Sequence, residues 1–340
     1  MITVGLVGAG FMGEMHANCY ASLRNAKVVG VADIEKKRSS ALASKCGAKA
    51  YSCLDSMVKA ENPDVIDITL PTFLHCEYVT RAAKLGKHVL CEKPMASTVA
   101  EADRMIAATK KARVKFMVAH CLRFWPEYVA LKRIADSKKL GKITSACFAR
   151  MSPTPDWGWK NWLLDPKKSG SALVDLHIHD TDFILYLLGK PRSVSASAVK
   201  TKIGYSHVYA TYDYPDKAVI ALGGWDLPPQ YPFNMSFRVN FEKGVVEFDS
   251  GRSPSIQVYE GRKKPYEPRI DKPTTKSGAS GGNISDLGGY FNEINYFLDC
   301  IEEGKSPKVV TPKDARNSLA VVLAEQRSAA SGRRMRPSLK

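Results

Sequence analysis

The run Ile2-Thr3-Val4-Gly5-Leu6-Val7-Gly8-Ala9-Gly10-Phe11-Met12-Gly13 decides the fold. Six largely apolar residues read as a buried strand. The three glycines then fall in the order G-x-G-x-x-G at the entry to an amphipathic segment marked by Met12, Met15, Cys19 and Leu23. Gly8 permits the tight turn out of the strand, Gly10 lets the backbone approach a pyrophosphate, and Gly13 lets the helix pack close to the strand. The helix N-terminus faces the phosphate charge. Asp33 follows twenty residues after Gly13, at the end of a second strand, Val28-Val29-Gly30-Val31-Ala32. A carboxylate there accepts hydrogen bonds from ribose hydroxyls and repels a 2′-phosphate, so NAD is the expected cofactor. Lys36, Lys37 and Arg38 stand just behind Asp33 and bring charge that suits a 2′-phosphate, which keeps NADP open beside NAD.

Working outward, residues 1–120 alternate strand and helix. Strands are expected at 2–7, 27–32, 64–70, 87–91 and 115–119, with helices near 12–23, 35–45, 73–85 and 97–113. Val65-Ile66-Asp67-Ile68-Thr69-Leu70 is nearly continuous in apolar character, which suits a parallel sheet covered on both faces. The fold class is therefore α/β, with an N-terminal doubly wound Rossmann sheet. After about residue 121 the pattern changes. A helix is expected at 126–138, another at 172–188, and strands near 143–151, 193–201, 207–214, 218–225, 234–242, 244–249 and 255–259. Glu242-Lys243-Gly244 reads as a hairpin turn. Consecutive strands without helices imply a mostly antiparallel, open sheet in a C-terminal α+β domain. Residues 261–286 read as a loop, and helices close the chain from just after Ser285 to about 303 and over 312–330. The expected division is 1–121 and 122–340.

The chain has 340 residues, 44% of them hydrophobic, and a formal charge of +16. Half of that excess sits in two loop-like segments, 252–276 and 333–340, and no basic helix or aromatic-interleaved basic stretch occurs. This is a solvated basic surface rather than a nucleic-acid footprint. No apolar run reaches membrane-spanning length. The eight cysteines form no C-x-x-C pair and read as reduced thiols. The strand starting at Ile2 leaves no room for a signal peptide, so a cytoplasmic protein is expected.

Three segments carry candidate chemistry. Glu92-Lys93-Pro94 follows the strand at 87–91, at the strand-end crevice where such sheets bind ligands. Pro94 restricts the backbone and allows a cis bond. Asp175-Leu176-His177-Ile178-His179-Asp180-Thr181-Asp182 opens an apolar helix. Asp175 and His179 are four apart and share a helix face, the arrangement of an oriented general base. On a helix His177 and His179 point about 200° apart and cannot share a metal; an extended segment would bring zinc back into view. No metal is expected. His120-Cys121-Leu122-Arg123-Phe124-Trp125-Pro126 joins the two regions. Arg123 suits an internal ion pair or a substrate contact. Trp157, Trp159 and Trp162 precede the Asp175 helix, where aromatic faces suit sugar C–H surfaces, although core packing is the commoner use.

With these residues assembled, the chain resembles the glucose–fructose oxidoreductase, inositol dehydrogenase and rhizopine-catabolism (Gfo/Idh/MocA) family. The resemblance rests on Gly8-Ala9-Gly10-Phe11-Met12-Gly13, Thr69-Leu70-Pro71-Thr72-Phe73-Leu74-His75, Glu92-Lys93-Pro94, Leu122-Arg123-Phe124 and Asp175…His179…Asp182. It covers nearly the whole chain. It implies NAD(P)-dependent hydride transfer on a sugar or cyclitol hydroxyl, with Lys93, Asp175 and His179 as catalytic residues. It puts Phe11, Met12, Thr69, Pro71, His75, Glu92 and Lys93 at cofactor-contacting positions beside Gly8, Gly10, Gly13 and Asp33. Lys93, His120, Arg123, Trp162, Asp175, His177 and His179 form the expected substrate-facing set. A homodimer or homotetramer through the C-terminal sheet is implied as well. The chain departs from the family pattern at Thr72, where asparagine is frequent, and at His177, where glycine is frequent. Two alternatives stand beside this reading: an NAD-dependent glycosidase working by transient oxidation and elimination, and a non-catalytic ligand-sensing relative.

Overall fold

The structure is a computed structural model that describes residues 1–273 and 287–340. It forms two compact units. The first comprises Met1–Cys121, Trp157–Trp162 and Pro273–Arg316; the second comprises Leu122–Asp156, Leu163–Lys272 and Asn317–Lys340.

The first unit begins as the glycine run requires. β1 (Ile2–Val7) leads into α1 (Phe11–Tyr20), and β2 (Ala26–Ala32), α2 (Lys36–Cys46), β3 (Lys49–Tyr51), α3 (Leu54–Glu61) and β4 (Val65–Ile68) follow. The series continues with α4 (His75–Lys84), β5 (His88–Glu92), α5 (Val99–Ala112) and β6 (Phe116–Ala119). The six strands pair in parallel in the order β3-β2-β1-β4-β5-β6. The order reverses between β1 and β4, which is where a doubly wound sheet opens its ligand crevice. β4 is buried at every residue, Asp67 included, as its unbroken apolar character anticipates. α5 starts on a reciprocal cap in which Thr98 accepts the Glu101 N–H and Glu101 accepts the Thr98 N–H. β3 and α3 are additions to the sequence reading. A three-residue strand and an eight-residue helix are too short to display a period.

The second unit contains α6 (Pro126–Ser137), β7 (Ile143–Pro153), α7 (Pro166–Ser169), α8 (Ser171–Asp175), α9 (Ile178–Leu188) and β8 (Ser193–Thr201). It continues through β9 (Gly204–Asp213), β10 (Ala218–Leu227), β11 (Asn234–Phe241), β12 (Gly244–Asp249) and β13 (Ile256–Glu260). The sheet runs β13-β12-β11-β7-β10-β9-β8, antiparallel except for the β7–β10 pair. Glu242 and Lys243 make the expected two-residue turn between β11 and β12. Burial alternates residue by residue along β7, and its inner face meets an aromatic cluster of Tyr128, Phe148, Phe183, Phe237 and Phe248 with ring centroids 4.8–5.9 Å apart. The opposite face leaves Val199, Tyr209 and Ile220 exposed.

Two helices follow, α10 (Gly288–Glu302) and α11 (Pro312–Ser331). α11 opens on a cap in which Thr311 and Asp314 each accept the other's N–H. α10 packs on α1 and belongs to the first unit. One stretch of the first unit ends at Cys121, and residues 157–162, α10 and the first residues of α11 also belong to that unit. That assignment is tertiary: α10 is amphipathic, and nothing in its own sequence says which core receives its apolar face. The expected start of this helix just after Ser285 lies at a position outside the described residues.

Candidate active site

The glycine turn is held from three sides. Gly8 has φ +103°, and a Cβ there would stand 2.8 Å from the Thr69 carbonyl oxygen. Thr69 Oγ1 donates to the Gly8 carbonyl at 2.8 Å, and the Asp33 carboxylate accepts the Ala9 N–H at 2.7 Å and the Glu35 N–H at 2.7 Å. A Cβ on Gly13 would come within 2.0 Å of the Gly8 carbonyl oxygen, so α1 can cross β1 this closely only with glycine. At Gly10 a Cβ would meet no protein atom within 4 Å, and Gly10 caps α1 with no side-chain hydrogen bond. The first-turn N–H groups of α1 and the open space before Gly10 are what a pyrophosphate requires. Phe11 and Met12 are partly exposed beside this space, and the Phe11 ring lies 6.0 Å from that of Trp157. These residues fit a dinucleotide.

At the end of β5, Glu92 is buried and its Oε2 accepts the Lys93 N–H at 3.1 Å. The Lys93–Pro94 bond is cis, and Lys93 is partly exposed. Pro71 leads a short 3₁₀ turn, Thr72–Leu74, into α4. His75 is fully buried, with Nδ1 2.9 Å from the Pro94 carbonyl oxygen and Nε2 2.8 Å from that of Leu70. Burial pushes its ring below the ordinary histidine value, so the neutral ring donates to one of the two carbonyls. It ties the two strand-end loops together through the backbone, a role other than the direct cofactor contact expected for it. Trp162 is partly exposed, with its ring 6.4 Å from that of Phe73.

In the second unit the Asp175 segment departs from a continuous helix. α8 ends at Asp175 and α9 begins at Ile178, with Leu176 and His177 between them. The His177 N–H donates to the Ala172 carbonyl at 2.9 Å, five residues back, in place of the usual four. Such one-turn widenings are frequent at functional sites. Asp175 is largely buried and His179 partly exposed. His177 has interior partners. It is fully buried, its Nε2 3.2 Å from Glu325 Oε2 and 3.3 Å from the Tyr212 hydroxyl, which in turn meets Thr181 at 3.0 Å. The expectation that His177 faces substrate is corrected: its partners are internal.

Arg123 is corrected likewise. It is buried and donates to both Asp182 oxygens, from Nε at 2.8 Å and from Nη2 at 2.7 Å, and its guanidinium lies 4.6 Å from the Tyr186 ring centroid. Ser318 donates to the same carboxylate at 2.7 Å. The bidentate pair is a structural clasp, the internal use weighed in the sequence. Arg150 forms a second one with Asp180 at 2.9 Å. His120 is buried at the end of β6. Sequence reasoning missed His16, Asp67 and Glu293: in the interior of the first unit His16 meets both Asp67 and Glu92, and Glu293 lies beside His16 and Glu92.

Residues 2–120 match the family model described as "Oxidoreductase family, NAD-binding Rossmann fold", and residues 128–247 match the "GFO/IDH/MocA C-terminal domain". The chain belongs to the Gfo/Idh/MocA family. An inositol 2-dehydrogenase of Rhizobium meliloti (strain 1021) is 27% identical over 98% of both chains. A 2,7-anhydro-N-acetylneuraminate hydratase of Escherichia coli (strain K12) is 29% identical over 73% of this chain and 68% of its own. Among solved structures, a levoglucosan dehydrogenase complexed with NADH and levoglucosan superposes with a TM-score of 0.85 at 22% identity, covering 99% of both chains. The Gfo/Idh/MocA chain is thus an NAD-dependent oxidoreductase. Among the described residues no helix is long and apolar enough to cross a membrane.

Proposed function

We propose that this protein transfers a hydride between NAD and a secondary hydroxyl or keto group of a sugar, sugar derivative or cyclitol. The observation that carries this reading is the Lys93 loop, fixed by Glu92 at the strand-end crevice of a dinucleotide fold, in a chain that also holds Asp175 and His179 around a widened helical turn. The names of its relatives, an inositol dehydrogenase and a levoglucosan dehydrogenase, support ring polyols as the substrate class. Bound NAD supplies the hydride acceptor. His179 takes the hydroxyl proton, Asp175 orients its ring, and the Lys93 ammonium hydrogen-bonds the same oxygen and stabilises its developing negative charge. His120 and Trp162 belong to the substrate-facing set in this reading. The exposed apolar face of the second sheet supports self-association through Val199, Tyr209 and Ile220.

The test is NAD reduction across a panel of inositols, sugars and anhydrosugars. Lys93→Ala and His179→Ala should each lower kcat by roughly a hundredfold or more, the scale of a general acid–base group. Wild-type rates in both variants would overturn the assignment. A relative named as a hydratase favours a second reading, redox-assisted elimination at the same residues. Release of an aryl leaving group from a glycoside without net NADH formation would select it.

A further inference from the structure

Four ionisable side chains meet in the interior of the first unit, behind the Lys93 loop. His16 comes from α1, Asp67 from β4, Glu92 from the end of β5 and Glu293 from α10. His16 Nδ1 lies 2.8 Å from Asp67 Oδ2, and His16 Nε2 lies 3.0 Å from Glu92 Oε1. Both nitrogens face carboxylate oxygens, which carry no proton to donate. An imidazolium, with a hydrogen on each nitrogen, satisfies both contacts at once. Burial opposes that charge, but Asp67 and Glu92 outweigh it and the ring's pKa rises well above its ordinary value. Burial alone would raise Glu92, yet the His16 hydrogen bond pulls its carboxyl below the usual range. The Tyr20 hydroxyl completes Asp67 Oδ2 at 2.9 Å.

Glu293 differs from the other two acids. It is fully buried, and neither of its oxygens has a partner among the described residues. Its carboxylate stands within 4.8 Å of ligating atoms of both His16 and Glu92. A third negative charge there would have no donor to stabilise it in a dry interior. Burial, then Glu92, holds its carboxyl well above the usual range. The other titratable groups facing the cluster are Cys19 and Tyr20 on α1, Cys91 on β5, Tyr290 on α10, His75 on α4 and Lys93, whose positive charge acts on Glu92 from the loop after β5. Lys93 offsets charge on Glu92 and not on Glu293, and burial pushes the His75 ring below its ordinary value. A metal ion is disfavoured because both His16 nitrogens are already committed to carboxylates.

We propose that His16 is a positioning residue for Lys93: as an imidazolium it clamps Glu92, whose second oxygen holds the Lys93 N–H, and Glu293 closes the cluster as a neutral carboxylic acid. The inference rests on Lys93 acting at the substrate oxygen. One oxygen of Glu92 binds the His16 ring and the other binds the backbone of the reactive residue, so displacement of the carboxylate moves Lys93 directly. The cluster also joins α1, whose other end faces the cofactor phosphates, to the loop that carries the lysine.

Four measurements test it. In the full-length wild-type protein, the ¹⁵N signals of the His16 ring should report protonation at both nitrogens through neutral pH, and a neutral ring overturns the proposal. The infrared difference spectrum between wild type and Glu293→Gln should contain a protonated carboxylic acid band; its absence overturns the neutral Glu293. In His16→Gln, kcat should fall about tenfold or more while the NAD Kd stays within about threefold, as expected for misplacement of a catalytic group. The deficit relative to wild type should narrow as pH is lowered, because a proton on Glu92 then replaces the missing imidazolium charge. A deficit constant across pH, or wild-type kcat, overturns the positioning role. Should His16→Gln not fold, the ring signals of the wild type decide the matter. Lys93→Ala is measured in parallel: wild-type turnover there sinks the assignment of Lys93 itself, independently of the state of His16.

Discussion

The Asp33 carboxylate accepts the Ala9 N–H at 2.7 Å, which makes the residue expected at the ribose also a strut of the glycine turn. Its second oxygen accepts the Glu35 N–H at the same distance, steering the chain toward Lys36, Lys37 and Arg38. Hydrogen bonds to a charged group contribute roughly 1.5–3 kcal/mol each. Asp33→Ala should therefore weaken NAD binding about tenfold or more. The same change removes the repulsion of a 2′-phosphate and leaves three basic neighbours in place, so the ratio of NADP to NAD affinity should rise. Parallel fluorescence titrations with the two cofactors check both statements, and an unchanged ratio would show that the basic triplet does not reach the ribose.

Gly10 and Gly13 separate cofactor binding from folding. An alanine methyl at position 13 meets the Gly8 carbonyl oxygen, a backbone atom that cannot swing aside, whereas at position 10 it meets no protein atom. Gly13→Ala should lower stability by about 1–3 kcal/mol, the usual range for overpacking, and should weaken NAD binding as well. Gly10→Ala should melt at the wild-type temperature and still lose NAD affinity, because its methyl occupies the space before the helix N-terminus. Thermal melts with and without NAD distinguish the two. Equal loss of apo stability in both variants would contradict the open space at Gly10.

These two glycines were legible in the sequence because their requirements are local: a turn, a close crossing and a helix start within six residues. The strands of the second sheet were legible for the same reason, since burial alternates along β7 and β9 as their residues alternate. The break between Asp175 and Ile178 was not. Leu176 and His177 are no helix breakers, and the segment from Ser171 to Leu188 contains no glycine or proline to mark a break. The buried cluster was equally hidden. His16 reads as one polar residue in an amphipathic helix, and its partners Asp67 and Glu92 lie 51 and 76 residues away in sequence. Arg123 and Asp182 share that character, yet the segment that carries each was already singled out.

The Arg123–Asp182 pair should show the asymmetry of a buried salt bridge. Arg123→Ala strips two charged donors from a carboxylate that is itself buried and to which Ser318 also donates. The expected cost is about 3–5 kcal/mol, because an uncompensated charge remains in the interior. Asp182→Asn in the Arg123→Ala background removes that charge and should recover part of the loss, so the two changes will be non-additive. Chemical denaturation of the four proteins in the cycle measures the coupling. Additive effects would mean that water already reaches the Asp182 carboxylate.

His75 predicts an acid-sensitive contribution to the first unit. Burial lowers its folded-state pKa beneath the ordinary value of about 6.5. The unfolded chain then binds a proton at a higher pH than the folded chain does. By linkage, stability is fully present above the unfolded pKa and falls as pH drops through about 6.5 toward the folded value. Neutral His75 bridges the Leu70 and Pro94 carbonyls, so its protonation within the fold strains the loops that flank the cofactor crevice. His75→Gln keeps an amide donor for one carbonyl and removes the titration. It should be less stable than wild type at pH 8, and the gap should shrink as pH falls below about 6.5. Denaturation midpoints for both proteins across that range check the slope. Parallel pH profiles would assign the acid sensitivity to another group, with His88, whose ring burial also lowers, as the next residue to replace.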